Sequence, residues 1–331
     1  MNRRIISSGL GLLLAASAAG GAAGQDGFFR WFQPLTAEQK VGVSARAEHY
    51  PRQRVREQGG GFGEDRGEIS LSIPLASGPA AEWAATARAG CRSIRTGALL
   101  PDTGERFPSE LWDLNFGTVH RRRLGNGWIA GGQFSLASPS DRPFSGWDQT
   151  SISLNGFLRV PAGRRDAWVF FLNYASNREF APHVPIPGAG YLHAPSRDFS
   201  ALLGVPLLFV NWRPAGNLSF RGFYFPIHTV FLGGEYGLGD GWKVFASWGW
   251  ENDRYYRYDR EDRDHRLFWY EQRLEGGVAV EAGGGLDLTL SGGYAYDRFF
   301  FEGKSYGDGR TDNRINLAPG LFISARAAAR F

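Results

Sequence analysis

The sequence predicts an all-β chain: a transmembrane antiparallel up-and-down β-barrel of about fourteen strands. Three observations predict it. An apolar–polar alternation runs to the last residue, the connections alternate between short and long, and an apolar leader precedes a chain with no further run of spanning-helix length.

The leader comes first. Arg3 and Arg4 form a basic start, Ile5 to Ala19 an apolar stretch, and Ala22-Ala23-Gly24 a small-residue site for signal peptidase. Residues 1–24 therefore read as a cleaved secretory signal peptide. No Cys follows the leader, which excludes a lipid-anchored N-terminus, and the lone Cys91 has no partner for an intramolecular disulfide. Residues 25–40, with Phe28, Phe29, Trp31 and Phe32, read as a short periplasmic N-terminal segment, too short for a plug domain; residues 41–331 read as the barrel.

Composition agrees. Mean hydropathy is −0.30, yet aromatics reach 15% and Gly numbers 46. Barrels hide their membrane character from an averaged scale because alternate residues face the lumen. Loss of Arg3 and Arg4 takes the formal charge from +4 to +2. So small a charge gives no reason to expect nucleic-acid binding.

Strands read from period-two alternation fall near 41–50, 67–76, 81–94, 110–124, 127–138, 148–160, 166–178, 201–212, 217–225, 227–237, 241–252, 266–282, 286–299 and 314–331. Turns such as Ser77-Gly78-Pro79-Ala80, Gly125-Asn126 and Gly283-Gly284-Gly285 alternate with long loops over 51–66, 95–109, 139–147, 179–200, 253–265 and 300–313. Only a tight corner at Pro226 breaks the rule. Twelve or sixteen strands are also admissible, because boundaries read this way shift by several residues. The Pro-rich loop 179–200 reads as one that folds inward and narrows the mouth.

Facing follows from parity. Trp242, Val244, Ala246, Trp248 and Trp250 share one face of their strand, opposite Lys243, Ser247 and Glu251. Trp128, Trp168, Trp242, Trp250, Tyr294 and Tyr296 sit near strand ends, as interfacial girdles require. In the last strand Leu317, Leu321, Ile323, Ala325, Ala327, Ala329 and Phe331 alternate with polar residues. A soluble sandwich would need a second sheet for these faces and leaves the rim asymmetry unexplained.

Candidate chemistry mostly dissolves. Gly303-Lys304-Ser305 lacks the leading Gly of a phosphate loop, because that position is Arg298. Gly188-Ala189-Gly190 lacks a third Gly and a βαβ setting. His49, His120, His183, His193, His228 and His265 are scattered, without metal-ligand spacing, and no cofactor is implied. The stretch 253–266 holds five acids and five Arg, and reads as a zwitterionic loop able to meet lipopolysaccharide phosphates rather than a Ca²⁺ site.

Inward parity collects eleven acids, Glu48, Glu68, Glu82, Asp113, Glu235, Glu251, Glu271, Glu275, Glu281, Asp287 and Asp297, against ten bases. So many charges need water or tight pairing. Arg88, Arg159, Arg221, Glu235, Lys243, Glu271, Arg273 and Glu275 are the lumen-lining candidates, with Arg88, Arg159, Arg221 and Arg273 expected to pair with Glu82, Glu235, Glu271 and Glu275. A fourteen-strand cylinder is roughly 28 Å across, which leaves a lumen on the order of 10–15 Å.

An ending on a strand with a terminal aromatic resembles bacterial outer-membrane proteins. That resemblance implies an outer-membrane location, an insertion-signal role for Phe331, and the barrel assembly machinery as a partner. Leu202-Leu203-Gly204-Val205-Pro206-Leu207, Asn211-Trp212-Arg213-Pro214, Phe225-Pro226 and Ser291-Gly292-Gly293-Tyr294-Ala295-Tyr296-Asp297-Arg298 resemble an uncharacterised, porin-like family of outer-membrane barrels, a domain of unknown function. It supplies no site residues. The strand count is also similar to the fatty-acid channel family, whose N-terminal hatch is longer than residues 25–40. The functional expectation is a passive porin-like channel for small hydrophilic solutes with weak charge selectivity; the alternatives are a non-conducting structural barrel, a hydrophobic-substrate channel and a barrel enzyme.

Overall fold

In a computed structural model, the structure describes residue 35 and residues 39–178, 182–225, 229–309 and 313–331. The signal peptide, most of the segment 25–40, the Pro226 corner and His228 lie outside the described residues.

The period-two stretches become strands in unbroken succession. They are β1 (Gly42–Arg54), β2 (Gly61–Ser77), β3 (Ala81–Thr96), β4 (Glu110–Arg123), β5 (Ile129–Ser140), β6 (Ser151–Pro161), β7 (Ala167–Ala175), β8 (Ile186–His193) and β9 (Phe199–Val205). They continue as β10 (Leu208–Ala215), β11 (Leu218–Phe225), β12 (Thr229–Gly239), β13 (Trp242–Tyr255), β14 (Arg266–Glu281), β15 (Leu286–Gly303), β16 (Ile315–Leu317) and β17 (Gly320–Arg330). Each strand from β1 to β15 pairs antiparallel with the next, and β17 pairs with both β15 and β1. The barrel is therefore closed by sixteen strands, with β16 a short extra piece on β15.

Sixteen rather than fourteen has two local causes. The segment 201–212, read as one strand, turns at Pro206-Leu207 into the hairpin β9–β10. The loop 179–200 contains β8, so it is part of the wall and not a constriction. Gly and Pro disguised that strand for a packing reason. A Cβ at Gly188 would lie 2.0 Å from the Phe171 ring and 2.6 Å from the Val205 carbonyl. The glycine is there because its neighbours fill the space.

The outer face states its own solvent. Leu172, Leu203, Leu232, Leu290, Leu321 and Ile323 point outward at 50–68% exposure. Apolar side chains on every face of a closed sheet are stable only against hydrocarbon. The Trp and Tyr named above flank this band, and Trp248 donates its indole N–H to the Tyr296 hydroxyl at 2.8 Å. Leu317 departs from the predicted face. Ala318-Pro319 interrupts the strand, and Leu317 is buried at 2% exposure among interior side chains.

The wall is uneven in height. β2, β3, β14 and β15 run for 16–18 residues, while β8 to β11 run for only 7–8. Short turns form one rim. One of its two-residue hairpins, Asp240-Gly241 with φ of 49° and 80°, needs the left-handed region at both positions, which suits Asp and Gly.

Candidate functional site in the lumen

The interior divides into two unlike sides. On the tall side, between β1–β3 and β13–β15, inward Glu48, Glu64, Glu251, Glu271 and Glu275 meet Arg66, Arg92, Arg273 and Arg298, each at most 9% exposed, with Arg46 beside them. Arg66 reaches Glu271 at 2.8 Å, and Arg298 bonds Glu271 at 2.8 Å and Glu64 at 3.0 Å. Arg273 lies 3.2 Å from Glu48, Arg46 3.3 Å from Glu275, and Arg92 joins Glu64 at 2.8 Å. Tyr50 sits at the centre. Its hydroxyl donates to Glu271 at 3.0 Å, while the guanidiniums of Arg66 and Arg298 lie 4.2 and 4.7 Å from its ring centre. These bonds run from one strand group to another across the lumen, so they fill it as well as line it. Glu251 is the exception: among the described residues neither carboxylate oxygen has a hydrogen-bond partner, and Arg273 is 3.7 Å away.

Above this network the mouth is capped by apolar packing. Leu100 and Phe107, from the loop between β3 and β4, pack with Phe62, Trp269, Phe300 and Leu317. That loop folds inward, the role expected of 179–200.

A second closure crosses the barrel. The Tyr256 amide donates to the Pro139 carbonyl at 2.7 Å, and the Asp141 amide to the Tyr256 carbonyl at 3.3 Å, forming a parallel bridge of Ser140 with Tyr256. Asp141 then accepts from the Tyr258 amide at 2.8 Å, and Arg142 lies 4.6 Å from the Tyr258 ring centre. Residue 140 ends β5 and residue 256 follows β13, eight strands apart in either direction around the closed sheet. Diametrically opposite walls are thus clasped at the long-loop rim. Arg257, at 4% exposure, anchors the clasp through Glu302 at 2.6 Å and through Glu105. Burial works against its charge, yet the hydrogen bonds it donates to Glu105 and Glu302 raise its pKa above the ordinary arginine value. The stretch 253–266 is accordingly part strand and part clasp, with residues 258–264 remaining a largely exposed loop between them.

The low side, β5 to β13, is apolar within. Ile129, Phe157, Val169, Phe171, Leu192, Leu202, Phe223 and Phe231 point inward and form one cluster, and Leu35 of the N-terminal segment is seated among them. A small niche beside it, toward the short-turn rim, is lined by Asn211, Ser219, Arg221, Glu235 and Ser247.

The predicted lumen residues separate accordingly. Glu271, Arg273 and Glu275 belong to the buried network. Arg88 lies at its edge, paired with Glu68 and Asp113 at 2.9 Å each, rather than with Glu82, which pairs with Arg121. Arg221 and Glu235 share the niche. Lys243 bonds Glu281 at 2.6 Å near the short-turn rim. Arg159 reaches the Arg165 carbonyl at 3.4 Å instead of a carboxylate. Asp297, counted as inward, is exposed and accepts from Gln272, because its φ of 47° in a bulge turns it out and brings Arg298 in. Glu64, Arg66 and Arg298 were not foreseen. The first two continue the alternation of Glu68 and Ser70, a signal hidden by starting the strand at residue 67. Among the described residues no group of His, Cys, Asp or Glu is placed to hold a metal ion.

No family model and no curated protein matches the chain. Among solved structures it is similar to the COG4313 outer membrane channel from Pseudomonas putida F1, at 10% identity and TM-score 0.40, over 90% of this chain and 97% of that one. It is also similar to OccK7 (OpdD) of Pseudomonas aeruginosa, at 10% identity and TM-score 0.38, covering 89% and 99%. A third is the beta domain of the Bordetella autotransporter BrkA, at 14% identity and TM-score 0.34, covering 88% and 100%. All three are likenesses to barrels, the class to which the porin-like motifs point, and nothing more.

Proposed function

We propose that the chain is a passive outer-membrane channel for small solutes, seated with its short-turn rim in the periplasm and its long loops outside. The observation that carries this reading is the unequal filling of the lumen. One side is locked by buried ion pairs and an apolar cap; the other has a soft apolar wall over a polar niche. We place the route along β5–β12, whose inward side chains include none of the network's charges. Its wall favours solutes of lower polarity than the hydrophilic ones expected from sequence, and the few charges near its base leave charge selectivity weak. Leu35 stands in this route, so passage requires the N-terminal segment to give way.

The test is permeation through the refolded barrel, by bilayer conductance and by swelling of solute-loaded vesicles. Phe171→Ala and Phe231→Ala should raise permeation, and Arg159→Ser with Arg221→Ser should shift selectivity toward cations. A correctly folded barrel that passes nothing, as wild type or as either phenylalanine variant, overturns the reading. The dense packing and the clasp would then favour a non-conducting structural barrel.

A further inference from the structure

We propose that the outer wall around β1–β3 is a docking site for a phosphorylated, multiply acylated glycolipid of the lipopolysaccharide type. The proposal rests on the outward orientation of the long-loop rim given above. Two features on the same strands carry it, one for each end of such a molecule.

The first is a hollow of about 890 Å³ in the apolar outer face. Its floor is made of small residues from neighbouring strands: Ala45 and Ala47 on β1, Gly67 on β2, Ala89 on β3, Ala325 and Ala327 on β17. Elsewhere the same belt carries Leu154, Phe170, Leu172 and Leu232, so the depression is local. A Cβ at Gly67 would meet nothing within 4 Å. The volume lies within the roughly 300–1,000 Å³ of small-molecule sites, and neighbouring strands about 4.8 Å apart give it room for several chains side by side.

The second is a pair of guanidiniums at the long-loop ends of these strands. Arg52 on β1 and Arg95 on β3 converge over the bare backbone of β2 between them. A Cβ at Gly61 would sit 2.2 Å from Arg52 Nε, and one at Gly63 would lie 3.7 Å from Arg95 Nη2. Exposed Arg54 stands two residues further along β1. Of the nearby acids Asp65 is ion-paired with Arg95 and bonded by His49 at 2.6 Å, while Glu57 and Glu110 keep their charge and accept from the Asn316 amide at 2.8 Å and the Trp112 indole at 3.2 Å. Arg52 and Arg54 make no ion pair among the described residues, so their guanidiniums are open to a headgroup phosphate, which guanidinium binds bidentately. From Arg95 back to Cys91, which also lines the hollow, is four residues, about 13 Å of strand. Phosphates on the arginines therefore place acyl chains over the alanine floor.

The experiment uses the full barrel in detergent, titrated with rough lipopolysaccharide and, separately, with its dephosphorylated form and with phosphatidylglycerol, and read by native mass spectrometry. Wild type should bind the phosphorylated glycolipid at least tenfold better than either comparison lipid. Arg52→Ala with Arg54→Ala should lose about thirtyfold, near 1 kcal/mol for each cation at a lipid surface. Gly67→Leu with Ala47→Leu, which fills the hollow without touching the arginines, should weaken the phosphorylated and dephosphorylated forms alike. Equal binding by wild type and both variants, all with heat-modifiable mobility, overturns the site. Equal binding of phosphatidylglycerol overturns the glycolipid assignment. Solute permeation should be unchanged in every variant, which separates this test from that of the channel.

Discussion

Replacing Arg298 by Met should destabilise the barrel by roughly 3 kcal/mol. Arg298 is 1% exposed and bonds two carboxylates on different strands, Glu271 at 2.8 Å and Glu64 at 3.0 Å. Removing one partner of a buried pair costs about 3–5 kcal/mol, because the other charge stays buried. Here each carboxylate keeps a second cation: Arg66 lies 2.7 Å from Glu64 and 2.8 Å from Glu271. That holds the loss to the lower end of the range. Arg95→Met is the matched control. Its partner Asp65 is 43% exposed and Arg95 itself 54%, so the loss should stay below about 1 kcal/mol. Reversible urea unfolding in lipid vesicles, followed by tryptophan fluorescence, measures both. Equal and small losses for the two variants would mean that water reaches Glu64 and Glu271, and the tall side would not be the locked side described above.

Other predictions follow the same logic. Phe331 is 71% exposed, and its amide bonds the Val41 carbonyl at 3.0 Å beside the closing strand pair; Phe331→Asp should block assembly without blocking export, and a normal yield of heat-modifiable barrel refutes this. Ala246→Arg, on the lipid face, should cost roughly 2–4 kcal/mol more than Ser247→Arg next to it, by vesicle unfolding, and equal losses contradict the facing. Gly188→Ala should cost about 1–3 kcal/mol, since the added carbon meets a backbone carbonyl as well as the Phe171 ring, and an unchanged unfolding curve counts against β8 in the wall. At the short-turn rim Asp166 is held below its ordinary pKa by the Ala194 amide, the Tyr191 hydroxyl and His193. A carboxyl depressed in the fold stabilises above its unfolded pKa, and loses that contribution as pH falls through the folded one. Tryptic cutting at Arg164-Arg165 should thus speed up after Asp166→Asn at neutral pH, and an unchanged rate refutes the tie.

The fold was more legible in the sequence than the site. Period-two alternation revealed Trp242 to Glu251 and Leu286 to Tyr296 because every second residue there faces hydrocarbon, a strong and local constraint. β8 escaped because Gly188 and Gly190 serve neighbouring side chains, and a single sequence shows only the glycines. Arg298 escaped because the left-handed Asp297 reverses parity for the residues after it, a change that no pattern upstream announces. The clasp of Pro139 with Tyr256 joins positions more than a hundred residues apart through main-chain groups, which carry no residue-type signature at all.

That clasp also changes what circumference means for this barrel. In an open cylinder, adding strands lengthens the perimeter, and the mouth grows with its square. A ring of fixed perimeter pinched at opposite points becomes two smaller rings, each with roughly a quarter of the original area. Sixteen strands therefore frame an aperture on the scale of an eight-strand tube, one copy stoppered and the other lined with phenylalanine. In the proposed channel, opening the clasp means parting two backbone hydrogen bonds together with the Asp141–Tyr258 and Arg257–Glu302 contacts at the rim, not adding wall.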